Sequence, residues 1–178
     1  MKSVPRDTLW CRLPSAAAAY RPWLRDRGSL TRRIQGRCPA LSVKVVFQGM
    51  RRVDRDERLL FAPRGRGMAL VRDVYLYCGR TPVVFAHSVI DLRDMRGTWR
   101  RLAKLGSQPL GAALFTDPRI RRYPLRQKKL NRHHELYRRA SAGLPALPST
   151  LWARRSLFTL HKSPILVTEV FLPGILKL

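Results

Sequence analysis

Two pairs of strand-like segments, each joined by a short turn, set the frame into which the rest of this chain must fit. Residues 68–77 (MALVRDVYLY) and 82–91 (PVVFAHSVID) flank the turn CGRT; residues 151–160 (LWARRSLFTL) and 164–173 (PILVTEVFLP) flank HKS. Short turns join antiparallel neighbours, so the pattern predicts an antiparallel sheet rather than a βαβ repeat. Residues 40–48 (ALSVKVVFQ) alternate and are rich in valine, which adds a strand. Extended structure is expected near 119–130, and a short extended piece at RLLFA (58–62). The stretch from 131 to 150 gives no clear assignment apart from a Pro-rich connector. Helical spacing marks AAAAY after Ser15, PWLRD from Pro22, LTRRIQ capped by Ser29, RGTWRRLAKLG ended by Gly106, and SQPLGAALF with Pro109 in its first turn. The fold class is α+β, a single domain of five or six strands with two helix clusters.

Two charges sit where strand alternation puts apolar neighbours. Arg72 shares a face with Met68, Leu70, Val74 and Leu76; Glu169 shares one with Ile165, Val167 and Phe171. Glutamate is scarce, at positions 57, 135 and 169 only. A lone carboxylate among apolar neighbours is costly unless paired, hydrogen-bonded or protonated. The functional reading of Arg72 is a guanidinium fork for a carboxylate ligand. The structural alternative is an ion pair with Asp73 or Glu169, or an arginine on an exposed sheet face. For Glu169 the alternatives are a structural ion pair with an arginine, or a desolvated acid meeting a ligand hydroxyl. Two helix starts, GSLT (28–31) and QPLG (108–111), add backbone N–H groups that favour anions.

Composition narrows the function classes. A length of 178 residues fits one domain. The net charge of +25 points to anionic partners. The basic residues come as scattered pairs such as Arg32–Arg33, Arg100–Arg101 and Arg154–Arg155, with no basic tail, so a nucleic-acid footprint is the minority reading. Cys11, Cys38 and Cys78 are odd in number and far apart, which predicts free thiols and a reducing compartment. No apolar run is long enough for a signal peptide or a membrane span. His133–His134 lacks the spacing of a helical zinc site, GRG at 65–67 is no phosphate loop, and no nucleophile elbow occurs. No metal and no cofactor are expected.

The blocks RPWLRDRGSLTRRI, ALVRDVYLYCGRTPVVFAHSVI, LGSQPLGAALF, LWARRSLF and PILVTEVFLP, in this order, resemble the bacterial chorismate–pyruvate lyases over residues 20–178. The resemblance implies a roughly six-stranded antiparallel sheet with helices covering the ligand site. It divides the chain into a loosely ordered extension, 1–20, and a lyase-like domain, 21–178. It implies conversion of chorismate to 4-hydroxybenzoate and pyruvate, the first step of ubiquinone biosynthesis, by a cytoplasmic, cofactor-free monomer without nucleic-acid partners. It places the ring carboxylate at Arg72 and the backbone amides of Leu30 and Leu110, and the ring hydroxyl at Glu169. His87 stands where relatives often carry arginine, so His87 or Arg155 is the expected holder of the enolpyruvyl carboxylate. Two other readings stay open: a small-acid sensor, since effector domains of some bacterial transcription regulators resemble the same fold, and a basic nucleic-acid-binding protein. A lyase that has lost its activity through His87 is a third.

Overall fold

The computed structural model describes residue 10 and residues 18–61, 67–95, 97–100, 106 and 108–178. Among the described residues there are seven strands: β1 (Leu41–Arg52), β2 (Met68–Cys78), β3 (Thr81–Asp91), β4 (Arg121–Arg122), β5 (Arg126–Asn131), β6 (Thr150–Leu160) and β7 (Ser163–Phe171). They form one antiparallel sheet in the order β1-β2-β3-β7-β6-β4, with β5 also paired to β6. The two predicted hairpins, β2–β3 and β6–β7, meet at its centre. There β3 pairs with β7, Ala86 opposite Glu169 and Ser88 opposite Val167. The β6–β7 turn places His161 (φ 47°) and Lys162 (φ 68°) in the left-handed region, which matches the strand twist but suits non-glycine residues poorly.

Alternation sorts the central strands into two buried faces. On one, Val74, Leu76, Val84, Trp152 and Phe171 pack against Trp23 and Leu24 of α1 (Arg21–Arg25) and Leu30 and Ile34 of α2 (Leu30–Gln35). The same face continues through Leu70, Ile90, Phe158 and Ile165, beside Leu114 of α5 (Leu110–Thr116), the helix that follows α3 (Arg55–Phe61) and α4 (Leu92–Met95). On the opposite face Tyr75, Phe85, Ala153 and Val170 pack against Leu136, Tyr137 and Ala140 of α6 (Glu135–Ser141) and against Trp10. With both faces covered, β2, β3, β6 and β7 are buried along most of their length, whereas the edge strand β1 alternates with solvent.

Several expectations change. The extended piece expected at RLLFA is instead helical over Arg58–Phe61, the end of α3, with Ala62 outside the described residues; the first turn of α3 carries Asp56 and Glu57 where a helix start favours acids. The two strands beyond β6 come from the stretch near 119–130, and α6 fills part of the unassigned region. The start of the Ser15 helix lies outside the described residues, and 18–20 form a turn rather than a helix; RGTWRRLAKLG lies mostly outside them, and Gly97–Arg100 form a turn. Trp10, inside the stretch expected to be loose, is 1% exposed and donates to Asp56 Oδ2 at 2.8 Å. Cys38 and Cys78, expected as free thiols, form a disulfide. Separation of 40 residues hid this pair; antiparallel pairing of β1 with β2 sets Leu41 opposite Cys78 and closes the distance. No helix among the described residues is long and apolar enough to cross a membrane.

Candidate active site

A cavity lies between the first sheet face and helices α2 and α5. Its floor is apolar: Val74, Leu76 and Ala86 at one end, Val167 and Phe158 at the other. Its roof is the start of both helices, Leu30 with Thr31, and Leu110 with Gly111. The first amides of a helix have no partner within it, so both starts present donors to the cavity wall. Ser29 caps α2 by accepting from Arg32 N (3.4 Å), while α5 begins after Pro109 with no side-chain cap. The helices touch closely: a Cβ at Gly111 would lie 3.1 Å from Thr31 Oγ1.

Arg72 projects into this cavity from β2 and is 6% exposed. Its Nη2 donates to Gly106 O (2.8 Å) and Gln108 O (3.1 Å), which ties the guanidinium to the segment leading into α5. Its buried Nε has no partner, and no carboxylate among the described residues pairs with it. Burial lowers its pKa from the usual guanidinium value. The structural alternatives of pairing with Asp73 or Glu169 are therefore not realised. Asp73 points to the other face, and Glu169 has a different partner.

That partner is Arg154. Its Nε meets Glu169 Oε2 at 2.5 Å, and its Nη1 donates to Trp23 O (2.7 Å) and Asp26 O (2.6 Å). Arg154 is fully buried, while the Glu169 side chain is 19% exposed and lines the cavity. Arg154 thus pairs with Glu169 through Oε2 and orients a carboxylate that lines the cavity. Of the two readings of Glu169, the ion pair is the one present, and the same carboxylate still faces the ligand space. A second cation, Arg122 of β4, also lines the cavity; burial lowers its pKa to about 10 against the pull of Glu169.

The structure brings Arg72, Glu169, Leu30 and Leu110 to one cavity, but not His87 or Arg155. His87 pairs with Asp73, and Arg155 with Thr168, in registers that send all four side chains to the opposite face. His87 is 1% exposed there, with Nδ1 2.5 Å from Asp73 Oδ1 and Nε2 2.8 Å from Glu57 Oε1. Arg139 joins this cluster at Asp54 and, at 3.3 Å, Asp73. Arg155 lies with its guanidinium 4.2 Å from the Trp10 ring centroid and donates to Asp56 O at 3.3 Å. Asp54, Glu57 and His87 keep ligating atoms within 4.8 Å of one another, the spacing of a metal site. In this trio Arg139 occupies Asp54, and the His87 nitrogens face two carboxylates, which is the arrangement of an imidazolium ion pair.

The His87 cluster predicts a pH effect on stability. Burial works to lower the His87 pKa, but the Glu57 and Asp73 carboxylates outweigh it and raise it to about 10. The folded state therefore holds a proton that the unfolded chain, near 6.5, releases. This contribution is fully present below about pH 6.5 and is lost as pH rises through about 10. Urea midpoints of the wild type should fall across that window, and the His87→Gln protein should lose that slope. Equal slopes for both would show that His87 is not charged in the fold.

The family described as Chorismate lyase matches residues 5–177. A protein of Nitrosospira multiformis named "Probable chorismate pyruvate-lyase" is 54% identical over 171 residues, covering 95% of each chain. A protein of the same name from Nitrosomonas eutropha is 49% identical over 179 residues and covers 100% of each. The fold is similar to a GntR-family transcriptional regulator of Bacillus cereus (TM-score 0.55, 8% identity, 76% of this chain and 93% of that one). It is also similar to the effector domain of PhnF from Mycobacterium smegmatis (TM-score 0.50, 10% identity, 75% and 82%). At such identities these two likenesses concern the sheet and its helices alone. Matched from near its first residue to near its last, and about half identical to relatives of its own length, the chain belongs to the chorismate lyase family.

Proposed function

We propose that this protein removes pyruvate from chorismate and releases 4-hydroxybenzoate, the first step of ubiquinone biosynthesis. The observation that carries the reading is the buried guanidinium of Arg72, without a carboxylate partner among the described residues, in a cavity with Glu169 at its other end. An uncompensated buried cation stores a large desolvation cost, which an anionic ligand relieves. The ring carboxylate of chorismate accepts from Arg72 and from the Leu30 and Leu110 amides. The ring hydroxyl donates to Glu169, whose Oε2 is fixed by Arg154. The apolar floor excludes water and strengthens both contacts.

The substrate supplies much of the driving force, because losing the ether substituent and one ring proton makes the ring aromatic. The protein's part is orientation and electrostatic stabilisation. Glu169 either assists removal of the proton beside the hydroxyl or holds the ring while the departing enolpyruvyl group takes that proton.

Purified protein mixed with chorismate and a chelator should form pyruvate and 4-hydroxybenzoate in equal amounts. Absence of both products, with the protein folded, rejects the proposal. The sensor reading predicts that outcome together with tight binding of a small aromatic acid.

A further inference from the structure

Chorismate carries two carboxylates, and the contacts above account for one. Among the described residues the cavity lining contains two cations, Arg72 and Arg122. The third nearby, Arg154, is neutralised by Glu169. The cavity thus offers two uncompensated guanidiniums to a dianion. His87 and Arg155, the expected holders of the second carboxylate, are on the other side of the sheet.

Resting on the lyase reading, we propose that Arg122 binds the enolpyruvyl carboxylate and stabilises the charge that develops on the departing group. Arg122 is held for this. Its Nε donates to Ser156 Oγ (2.9 Å) and its Nη1 to Arg27 O (2.5 Å). Its guanidinium lies 5.2 Å from the Phe115 ring centroid and 5.3 Å from that of Phe158. Nη2 has no partner among the described residues, and no carboxylate pairs with the guanidinium.

The placement agrees with the substrate. Arg72, Ser88, Val167 and Ser156 form one cross-strand row over β2, β3, β7 and β6. Three strand spacings, about 14 Å, separate its ends. Arg72 and the Ser156-bound Arg122 therefore face each other along the row with ligand space between. Glu169 is two residues from Val167 on β7, and its charge acts on Arg122. In chorismate the hydroxyl and the ether oxygen are on adjacent ring carbons, opposite the ring carboxylate. One end of the site must then hold both the hydroxyl partner and the enolpyruvyl partner.

In the reaction the ring carbon–oxygen ether bond breaks, and its electron pair goes to the departing oxygen. The ring carbon bearing the hydroxyl gives up its hydrogen as a proton. That proton ends on the methylene carbon of the enolpyruvyl group, which leaves as pyruvate. Arg122 meets the negative charge on this fragment. Beyond it, a groove lined also by Arg25 and Arg27 gives the fragment a cationic way out.

The test compares a dianion with a monoanion. Arg122→Gln should lower kcat/KM for chorismate about 10- to 100-fold, since a charged hydrogen bond is lost in a desolvated site. Its Kd for 4-hydroxybenzoate, measured by titration calorimetry, should stay within about threefold of wild type. Arg122→Lys, which keeps the charge, should recover part of the loss. An active wild type with Arg122→Gln equally active overturns this proposal alone. So does a parallel loss of chorismate turnover and product affinity, the mark of a structural role. A wild type inactive on chorismate overturns it together with the lyase reading.

Discussion

Arg72→Ala is expected to weaken 4-hydroxybenzoate binding about 100-fold or more and to lower kcat/KM for chorismate at least as much. A hydrogen bond to a charged group contributes roughly 1.5–3 kcal/mol, and a carboxylate held by a guanidinium makes two. Arg72 also ties Gly106 O and Gln108 O to the sheet. Its removal frees the segment that sets the start of α5, and with it the Leu110 amide, so losses at the guanidinium and at the helix start add. Arg72→Lys should recover little, because an ammonium cannot reach both carbonyls and still present a planar fork. Titration calorimetry with 4-hydroxybenzoate decides the matter, since the product keeps the ring carboxylate and lacks the second one. Product affinity unchanged in Arg72→Ala would remove Arg72 from the site.

The central sheet was legible because its signals are local. Alternation and short turns define β2–β3 and β6–β7 within a dozen residues each, and the registers match those boundaries closely. Ser29 and the LTRRIQ helix were legible for the same reason. What the sequence hid depends on partners far along the chain. The pairing of Cys38 with Cys78 needs β1 beside β2, and the placement of β4 and β5 needs β6 as a template. The α3 stretch misleads because RLLFA is short and apolar, and such runs suit either period. Its acids at the first turn were the better guide.

The site was legible where one charge interrupts one face. Arg72 and Glu169 each sit among apolar neighbours spaced two apart, and both reach the cavity. The pair Arg154–Arg155 shows the limit. Adjacent strand residues point to opposite faces, so choosing between them is a choice of face. Arg155 was the one expected at the site; Arg154 shares the face of Trp152 and Phe171, pairs across to Glu169, and is the one there. Strand alternation alone would have placed His87 opposite in face to Ala86 and Ser88, but not told which face holds the ligand. Arg122 carried no signal, since a two-residue strand has no pattern to interrupt. Three of the 36 basic residues, Arg72, Arg154 and Arg155, are structural or ligand-facing cations inside the protein.

Arg154→Met should cost about 3–5 kcal/mol of stability, the usual result of removing one partner of a buried ion pair. The cost comes from what is left behind. Glu169 would keep a charge in a largely apolar cavity, and Trp23 O and Asp26 O would lose their donor. Those two carbonyls flank the end of α1, so the helix that covers one end of the cavity loosens as well. For a chain of this size the thermal midpoint should fall by roughly 10 °C. The double variant Arg154→Met with Glu169→Gln separates the contributions. If the stranded carboxylate dominates, the neutral amide should recover more than about half of the lost stability while lyase activity stays absent. A double variant no more stable than Arg154→Met would place the cost in the α1 anchors instead, and the role of Arg154 as the counter-ion that makes Glu169 tolerable beside the ligand would fall.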